Sequence, residues 1–251
     1  MDIVHFIGFV HPKSWHISAP YSPEITWDEP DLNFKAKFSV QIMDSKVTVK
    51  CEVPKFDLAQ LDLLLVRALD QARIPVNLAA FANGVALVVL FDSVRLPDGA
   101  EKKLSPVNPD LAKLCTAFKV SDNSFIEMYN IALSKPDLFL ALGDLIEAIT
   151  HPHMASINCG RVIDGIRRIV APGLDAKAGW AKMHSALNVA RPYQEWISKL
   201  STNPRHADRT FIPGADATQA VERTWNIMNR LFEYLKRGAV PLTALEFPEL
   251  N

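Results

Sequence analysis

The sequence predicts an α+β protein, with an N-terminal region of antiparallel hairpins over residues 1–105 and a helical region over residues 106–251. Three observations predict this class. Residues 34–53 alternate apolar and polar side chains, which is typical of strands with one buried and one solvated face. From Pro109 onward, apolar residues recur at helical spacing between breaks of Pro, Ser, Asp and Gly. The 251 residues, 49% of them apolar, can bury one large core or two smaller ones.

The N-terminal elements follow from local patterns. The apolar stretch IVHFIGFV predicts a first strand, and the alternating segment predicts a hairpin over residues 33–54 that turns at Asp44-Ser45. Asp57 with Gln60 three residues later is a capping-box arrangement, which predicts the start of a helix. Asn83-Gly84 predicts a further hairpin between VNLAAF and VALVVLFDSVRL, because both turn residues tolerate positive φ.

Seven helices are predicted in the second region. The apolar spacing places them in DLAKLCTAF, SFIEMYNIAL, DLFLALGDLIEAI, INCGRVIDGIRRIV, around Trp180, from Pro192 to Leu200, and over about 216–237. The last would begin with a capping box of Asp216 and Gln219 and bury Trp225 and Met228. A polar loop is predicted from Ser201 to Gly214, just before it.

Several function classes are excluded by what the sequence lacks. Three cysteines at irregular spacing fit neither a disulfide framework nor a paired metal site, and are interpreted as reduced, partly buried thiols. His151-Pro152-His153 with Cys159, and His11 with His16, lack regular ligand spacing, so neither a metal nor a cofactor is expected. The phosphate-loop, dinucleotide, hydrolase-elbow and zincin motifs do not occur. With no leader and no apolar run of roughly 18 residues, we expect a cytoplasmic protein without a membrane span.

The charge of −1 is unevenly distributed along the chain. Residues 151–251 contain 13 Lys and Arg against 9 Asp and Glu, whereas the first 150 residues are acidic. Four of the seven histidines also lie in the basic part. This asymmetry favours an anionic ligand such as nucleic acid.

The first candidate site lies on one predicted helix. Arg161, Asp164 and Arg168 fall at i, i+3 and i+7, which puts basic groups around a carboxylate on one flank. These residues could form a solvated face braced by ion pairs. Alternatively, Arg161 could point inward and hold a carboxylate or phosphate, with Asn158 as its polar companion.

The second candidate site is the segment NPRHADR, residues 203–209. His206 lies between Arg205 and Arg209, with Asp208 available to orient it. An imidazole can take the 2′-hydroxyl proton of RNA or protonate the leaving 5′-oxygen, while arginines stabilise charge on the phosphorus. The alternative is a loop in which these groups pair with helix ends or acidic neighbours.

The segments NCGRVIDGIRRIV, the Trp180 helix, RHAD and AVERTWNIMNRLFEY together resemble uncharacterised bacterial proteins whose C-terminal helical domain is similar to the HEPN superfamily. The resemblance spans roughly residues 75–238. It implies a helical bundle, often dimeric, of a class in which many members are metal-independent ribonucleases of toxin or defence systems and others only bind. The HEPN nuclease motif has an arginine four to six residues before a histidine. Positions 199–202 hold no arginine, so His206 would rely on Arg205 or Arg161.

These observations lead to two alternative functions. The first is a metal-independent ribonuclease with His206, Arg205 and Arg161 as catalytic residues and Arg209, Arg168 and Asn158 as RNA-binding residues. The second is a non-catalytic adaptor or sensor that binds RNA or protein, with a protein or small-molecule ligand at the N-terminal region. A homodimer is expected in either case.

Overall fold

The computed structural model describes residues 1–19, 23–29, 34–104, 109–206 and 212–251. The chain divides into two compact units, Met1–Pro106 and Val107–Asn251. The first contains an antiparallel sheet and one long helix, and the second is helical. The predicted α+β class is therefore confirmed.

The N-terminal unit is built on a six-stranded antiparallel sheet of order β2-β3-β4-β1-β5-β6. Its strands are β1 (Asp2–His11), β2 (Ile25–Glu29), β3 (Phe34–Met43), β4 (Lys46–Val53), β5 (Val88–Arg95) and β6 (Glu101–Lys103). The predicted hairpin is β3 and β4, and Asp44 and Ser45 at its turn both have positive φ, of 49° and 63°. The predicted first strand is β1.

Helix α1 (Leu61–Asn83) covers one face of this sheet. It does so with Leu64, Ala68, Ala72 and Val76, which recur every four residues and are each 0% exposed. The carboxylate of Asp57 accepts from the backbone N–H of Ala59 at 2.9 Å and caps a short 3-10 turn ahead of the helix. The predicted helix start is thus correct to within a turn.

The hairpin predicted at Asn83-Gly84 is wrong. Residues 76–83 continue α1 past Pro75, and Gly84 ends the helix in the left-handed conformation with φ 63°. Its N–H bonds to the carbonyls of Ala80 and Phe81. A glycine that tolerates positive φ serves a helix C-terminus as well as a hairpin turn, and burial of Val76 against the sheet favours the helix.

In the described part of the C-terminal unit, seven α-helices pack around a single core. They are α2 (Pro109–Leu114), α3 (Asn123–Ser134), α4 (Pro136–Thr150), α5 (Ala155–Val170), α6 (Ala176–Leu187), α7 (Arg191–Arg205) and α8 (Gly214–Lys236). Each corresponds to a predicted helix. Helix α5 is central and contacts α4, α6, α7 and α8. Within the described ranges, no helix combines the length and apolarity that a membrane crossing requires.

Three details of the last helices differ from the prediction. Ser201–Arg205 belong to α7, so the first five residues of the predicted loop are helical, and residues 207–211 of that loop lie outside the described residues. Helix α8 begins after Pro213 without a side-chain cap, and Asp216 lies inside its first turn. Met228 is buried at 3% exposure, whereas Trp225 is only partly buried at the edge of the core.

The C-terminal segment closes the helical unit. Leu250 forms a parallel bridge with Val189, and the backbone of Ala190 donates to the Leu250 carbonyl at 2.9 Å. Arg230 on α8 is 8% exposed and donates from Nη2 to the Pro248 carbonyl at 2.7 Å, and burial lowers the pKa of its guanidinium. The guanidinium of Arg230 thus holds the C-terminal segment against α8.

Candidate functional site

Two glycines on α5 allow the neighbouring helices to approach closely. A Cβ added at Gly160 would lie 2.6 Å from Ser201 Cβ on α7, and one at Gly165 would lie 3.2 Å from Ala141 Cβ on α4. Real Cβ atoms do not approach as closely as the first of these distances. The absence of a side chain at Gly160 therefore allows α7 to pack directly against α5. This packing places the residues at the end of α7 beside α5.

Arg205, in the last turn of α7, is held by a carboxylate of α5. Its Nη1 donates to Asp164 Oδ2 at 2.8 Å, and its Nε donates to the Ser201 carbonyl at 3.3 Å. The two side chains are 30% and 39% exposed. No described residue accepts from Nη2, so the guanidinium is oriented and keeps an N–H edge for a further anion.

Arg161 forms a second ion pair, with Asp144 of α4. Its Nε donates to Asp144 Oδ2 at 3.1 Å, and its Nη2 lies 3.1 Å from Oδ1 of the same carboxylate. Its side chain is 59% exposed, so Arg161 does not point inward, and the ion-paired solvated face is the correct alternative. Asn158 is buried at 6% exposure, and no hydrogen bond in the described part of the chain joins it to Arg161.

His206 lies immediately after α7. Its backbone N–H donates to the Asn203 carbonyl at 3.0 Å, and its side chain is exposed. Within the ranges that the structure describes, no residue hydrogen-bonds its ring. Arg209 and Asp208, the other predicted members of this segment, lie outside the described residues. Arg168 is exposed on α5, seven residues after Arg161.

The structure thus brings together part of the predicted set. Arg161 and Asp164 are three residues apart on α5 and pair with α4 and α7 respectively, so two ion pairs lie side by side on one surface. His206 and Arg205 are adjacent at one end of it. Sequence reasoning missed Asp144, which is 17 residues from Arg161 in another helix and carries no local signal. We call this surface, formed by Asp144, Arg161, Asp164, Arg205 and His206, the arginine–histidine surface.

The arginine–histidine surface combines two arginines held by ion pairs with the solvent-exposed imidazole of His206. Each carboxylate neutralises its arginine, but it also restricts the guanidinium to one orientation, which suits recognition of phosphate oxygens. No cluster of three potential metal ligands occurs among the described residues. His151 instead pairs with Glu147 at 2.5 Å, and His16 with Asp44 at 2.6 Å.

The three cysteines are free, as the sequence predicts. Cys51 and Cys159 are buried, and burial raises the pKa of both thiols, that of Cys159 to about 11. Cys115 is only partly buried. None of the three lies on the arginine–histidine surface.

The N-terminal unit presents a polar sheet face opposite α1. One cross-strand row consists of Ser39, Lys50, His5 and Arg95, which are paired in register across four strands. Partial burial, together with the charges of Arg95 and Lys50, lowers the pKa of His5. Glu52 neutralises Lys50 at 2.5 Å, so the row is mixed in charge and not a basic stripe.

The chain matches the two models of a family described as a domain of unknown function, DUF8168. Its N-terminal domain model matches residues 4–104 and its C-terminal domain model matches residues 125–236. These ranges lie one in each compact unit. No curated protein and no solved structure matches the chain significantly.

Proposed function

The chain belongs to the DUF8168 family, and from the arginine–histidine surface we propose that its helical unit is a HEPN-like, metal-independent ribonuclease. The observation that carries the proposal is the exposed ring of His206 beside an arginine that Asp164 orients. A histidine that was buried and fully paired would instead suit a structural role.

The proposed reaction is transesterification of RNA. His206 takes the proton of a 2′-hydroxyl, the 2′-oxygen attacks the adjacent phosphorus, and the bond to the 5′-oxygen breaks. A water proton passes to the leaving 5′-oxygen, which leaves a 2′,3′-cyclic phosphate and a 5′-hydroxyl. Arg205, whose Nη2 has no acceptor among the described residues, stabilises the negative charge on the phosphoryl oxygens. Asp164 is a positioning residue that acts through Arg205.

Labelled single-stranded RNA incubated in EDTA tests this proposal. The wild-type chain should cleave it to cyclic-phosphate ends, and a strand with 2′-deoxy sugars should stay intact because it lacks the nucleophile. His206→Ala should reduce the rate by about 10² to 10⁴, the usual contribution of proton transfer by a side chain. His16→Ala is the matched control, since His16 is exposed but lies in the N-terminal unit beside Asp44.

Two further variants separate positioning from charge. Arg205→Lys keeps the cation but loses the planar fork, and Asp164→Asn keeps the size but loses the orienting carboxylate. Both should lower the cleavage rate while the melting temperature stays within a few degrees of that of the wild type. A loss of folding in parallel with activity would indicate a structural ion pair.

A non-catalytic adaptor is the second candidate, and it is favoured by the ion pair between Arg161 and Asp144. The charge of Arg161 is already balanced by the Asp144 carboxylate, which suits a surface that binds a ligand without catalysing a reaction. On this account the helical unit binds RNA in a salt-dependent way without cleaving it. The sheet face with His5, Lys50 and Arg95 then binds a protein or small molecule. Salt-sensitive RNA binding without any cleavage would support it over the ribonuclease.

A further inference from the structure

Arg167 on α5 differs from the two arginines of the arginine–histidine surface in its charge balance. Arg161 pairs with Asp144 at 3.1 Å. Arg205 pairs with Asp164 at 2.8 Å. Arg167 is partly buried, and no carboxylate of the described residues forms an ion pair with it. The described part of the protein therefore leaves the charge of Arg167 unbalanced.

The side chain of Arg167 is held between α5 and α6. Its guanidinium carbon lies 5.3 Å from the centre of the Trp180 ring, which is within the range of a cation–π contact. A Cβ added at Gly179 would lie 3.1 Å from Nη1 and 3.4 Å from Cγ of Arg167, so the glycine leaves the space that this side chain fills. Contact with these two residues of α6 gives the guanidinium a defined position.

The nitrogen atoms of Arg167 have few hydrogen-bond acceptors around them. Nε is buried and has no hydrogen-bond partner, whereas Nη1 and Nη2 are not buried. Arg223 and Arg230, the other arginines of the described helical unit that are not exposed, each donate to a backbone carbonyl. A cation that loses part of its hydration without such an acceptor is poorly compensated. An anion bound by Nη1 and Nη2 would supply the missing acceptors.

Arg167 lies next to the arginine–histidine surface. It follows Asp164 by three residues on α5, and side chains at this spacing have Cβ atoms about 5–6 Å apart. Asp164 in turn holds Arg205. Further exposed cations are present on the same two helices, namely Arg168 on α5 and Lys177 and Lys182 on α6. A polyanion that reaches Arg205 therefore meets a second held guanidinium one helical turn along α5.

The ligand that suits two neighbouring guanidinium groups is a chain of phosphodiesters. Each guanidinium presents paired N–H groups that match the oxygens of one phosphate. A nucleic-acid strand carries one such charge at every nucleotide, so a single strand supplies an anion to each arginine. The phosphate contacts fix the position of the strand and do not read its sequence.

We propose that Arg167 binds a backbone phosphate of single-stranded RNA, beside the phosphate that Arg205 contacts. This proposal rests on the proposed function, because it takes RNA as the ligand and Arg205 as the contact of the reacting phosphate. Arg167 is a positioning residue in this role, since it holds the strand and takes no part in proton transfer. Trp180 and Gly179 position Arg167 in turn.

Binding of single-stranded RNA with 2′-O-methyl sugars, which has no free 2′-hydroxyl and is not cleaved, tests the proposal. Fluorescence anisotropy measures Kd between about 50 and 200 mM KCl for wild type, Arg167→Met and Arg191→Met. Methionine keeps an apolar stem beside Gly179 and Trp180 but removes the charge. Arg191 is exposed and pairs with Glu195 in the first turn of α7, so its replacement is the matched control for the loss of one charge.

The expected effect of Arg167→Met is a Kd raised by on the order of 10-fold, because a hydrogen-bonded charge contact is lost. The slope of log K against log salt concentration should become shallower by about 0.7, the value for one phosphate contact on a single strand. Oligouridylate and oligoadenylate should be affected equally, because a phosphate contact carries no sequence information. Arg191→Met should keep the wild-type slope.

Three results would overturn the proposal. The first is a wild-type Kd and slope in folded Arg167→Met, which would make Arg167 a structural cation on Trp180. The second is a loss confined to one RNA sequence, because that requires contact with a base. The third is a wild-type protein that binds no RNA. Circular dichroism checks the fold of each variant, and Arg167→Gln replaces Arg167→Met in the same comparison if the methionine variant does not fold.

Cleavage of unmodified RNA separates this proposal from the ribonuclease. Intact RNA with the wild type, together with the expected change of slope in Arg167→Met, would contradict the ribonuclease and support the phosphate contact. Cleavage by Arg167→Met with the kcat and KM of the wild type would support the ribonuclease and overturn the phosphate contact.

Discussion

Replacement of Gly160 by alanine tests how α5 positions the arginine–histidine surface. The new Cβ would lie 2.6 Å from Ser201 Cβ, an atom attached directly to the backbone of α7 and unable to rotate away. To reach an ordinary contact, α7 must shift by roughly 1 Å, and overpacking of this kind costs about 1–3 kcal/mol. Alanine gains about 1 kcal/mol over glycine in a helix interior, which offsets part of the cost.

The net effect expected for Gly160→Ala is a loss of up to about 2 kcal/mol in the unfolding free energy, after the helix-propensity gain. Gly143→Ala is the matched control, because a Cβ there meets nothing within 4 Å on the same class of element. That variant should gain about 0.5–1 kcal/mol. The two melting temperatures should therefore differ by several degrees, at about 2–4 °C per kcal/mol for a protein of this size.

Thermal unfolding monitored by tryptophan fluorescence measures this difference, since three of the five tryptophans are Trp180, Trp196 and Trp225 in the helical unit. A Gly160→Ala protein whose melting temperature rises as much as that of Gly143→Ala would refute the close approach of α5 and α7. Such a result would also remove the reason to treat Arg205 and Asp164 as a fixed pair.

The remaining predictions concern the core and the thiols. Trp225→Ala should lower the free energy of unfolding by about 2–3 kcal/mol. This is less than the roughly 3–5 kcal/mol typical of a fully buried tryptophan, because Trp225 is only partly buried. Urea unfolding measures the change, and an unchanged midpoint would contradict the packing of Trp225 on the core. A thiol reagent at pH 8 should label Cys115 first, because burial raises the pKa of Cys51 and Cys159 and shields both. Rapid labelling of all three cysteines in the folded protein would show that one of the two cores opens readily.

The sequence predicts elements best where one residue pattern has one structural outcome. Alternation from Phe34 to Val53 gives two strands and their turn, because period two with a buried face suits only a sheet. The i, i+4 stripe of α1 is equally clear up to Pro75. The prediction fails at Asn83-Gly84 because a glycine with positive φ occurs both in hairpin turns and at helix C-termini. Only the burial of Val76 against the sheet distinguishes the two structures.

The candidate site is less accessible to sequence reasoning, because its geometry depends on pairs between helices. Arg161 and Asp164 are recognisable from their spacing on α5. Their partners, Asp144 on α4 and Arg205 on α7, are found only when the helices are packed. Gly160 is the best sequence indication of the contact between α5 and α7, because a glycine in the interior of a buried helix indicates close approach of another helix.

The most direct test of the proposed function is the single-turnover rate of RNA cleavage in EDTA by the wild type and by His206→Ala, prepared in parallel. The proposal predicts wild-type cleavage to 2′,3′-cyclic phosphate ends and a rate lower by at least about 10²-fold in a folded His206→Ala protein. Equal rates in the two preparations, or intact RNA with the wild type, would contradict it.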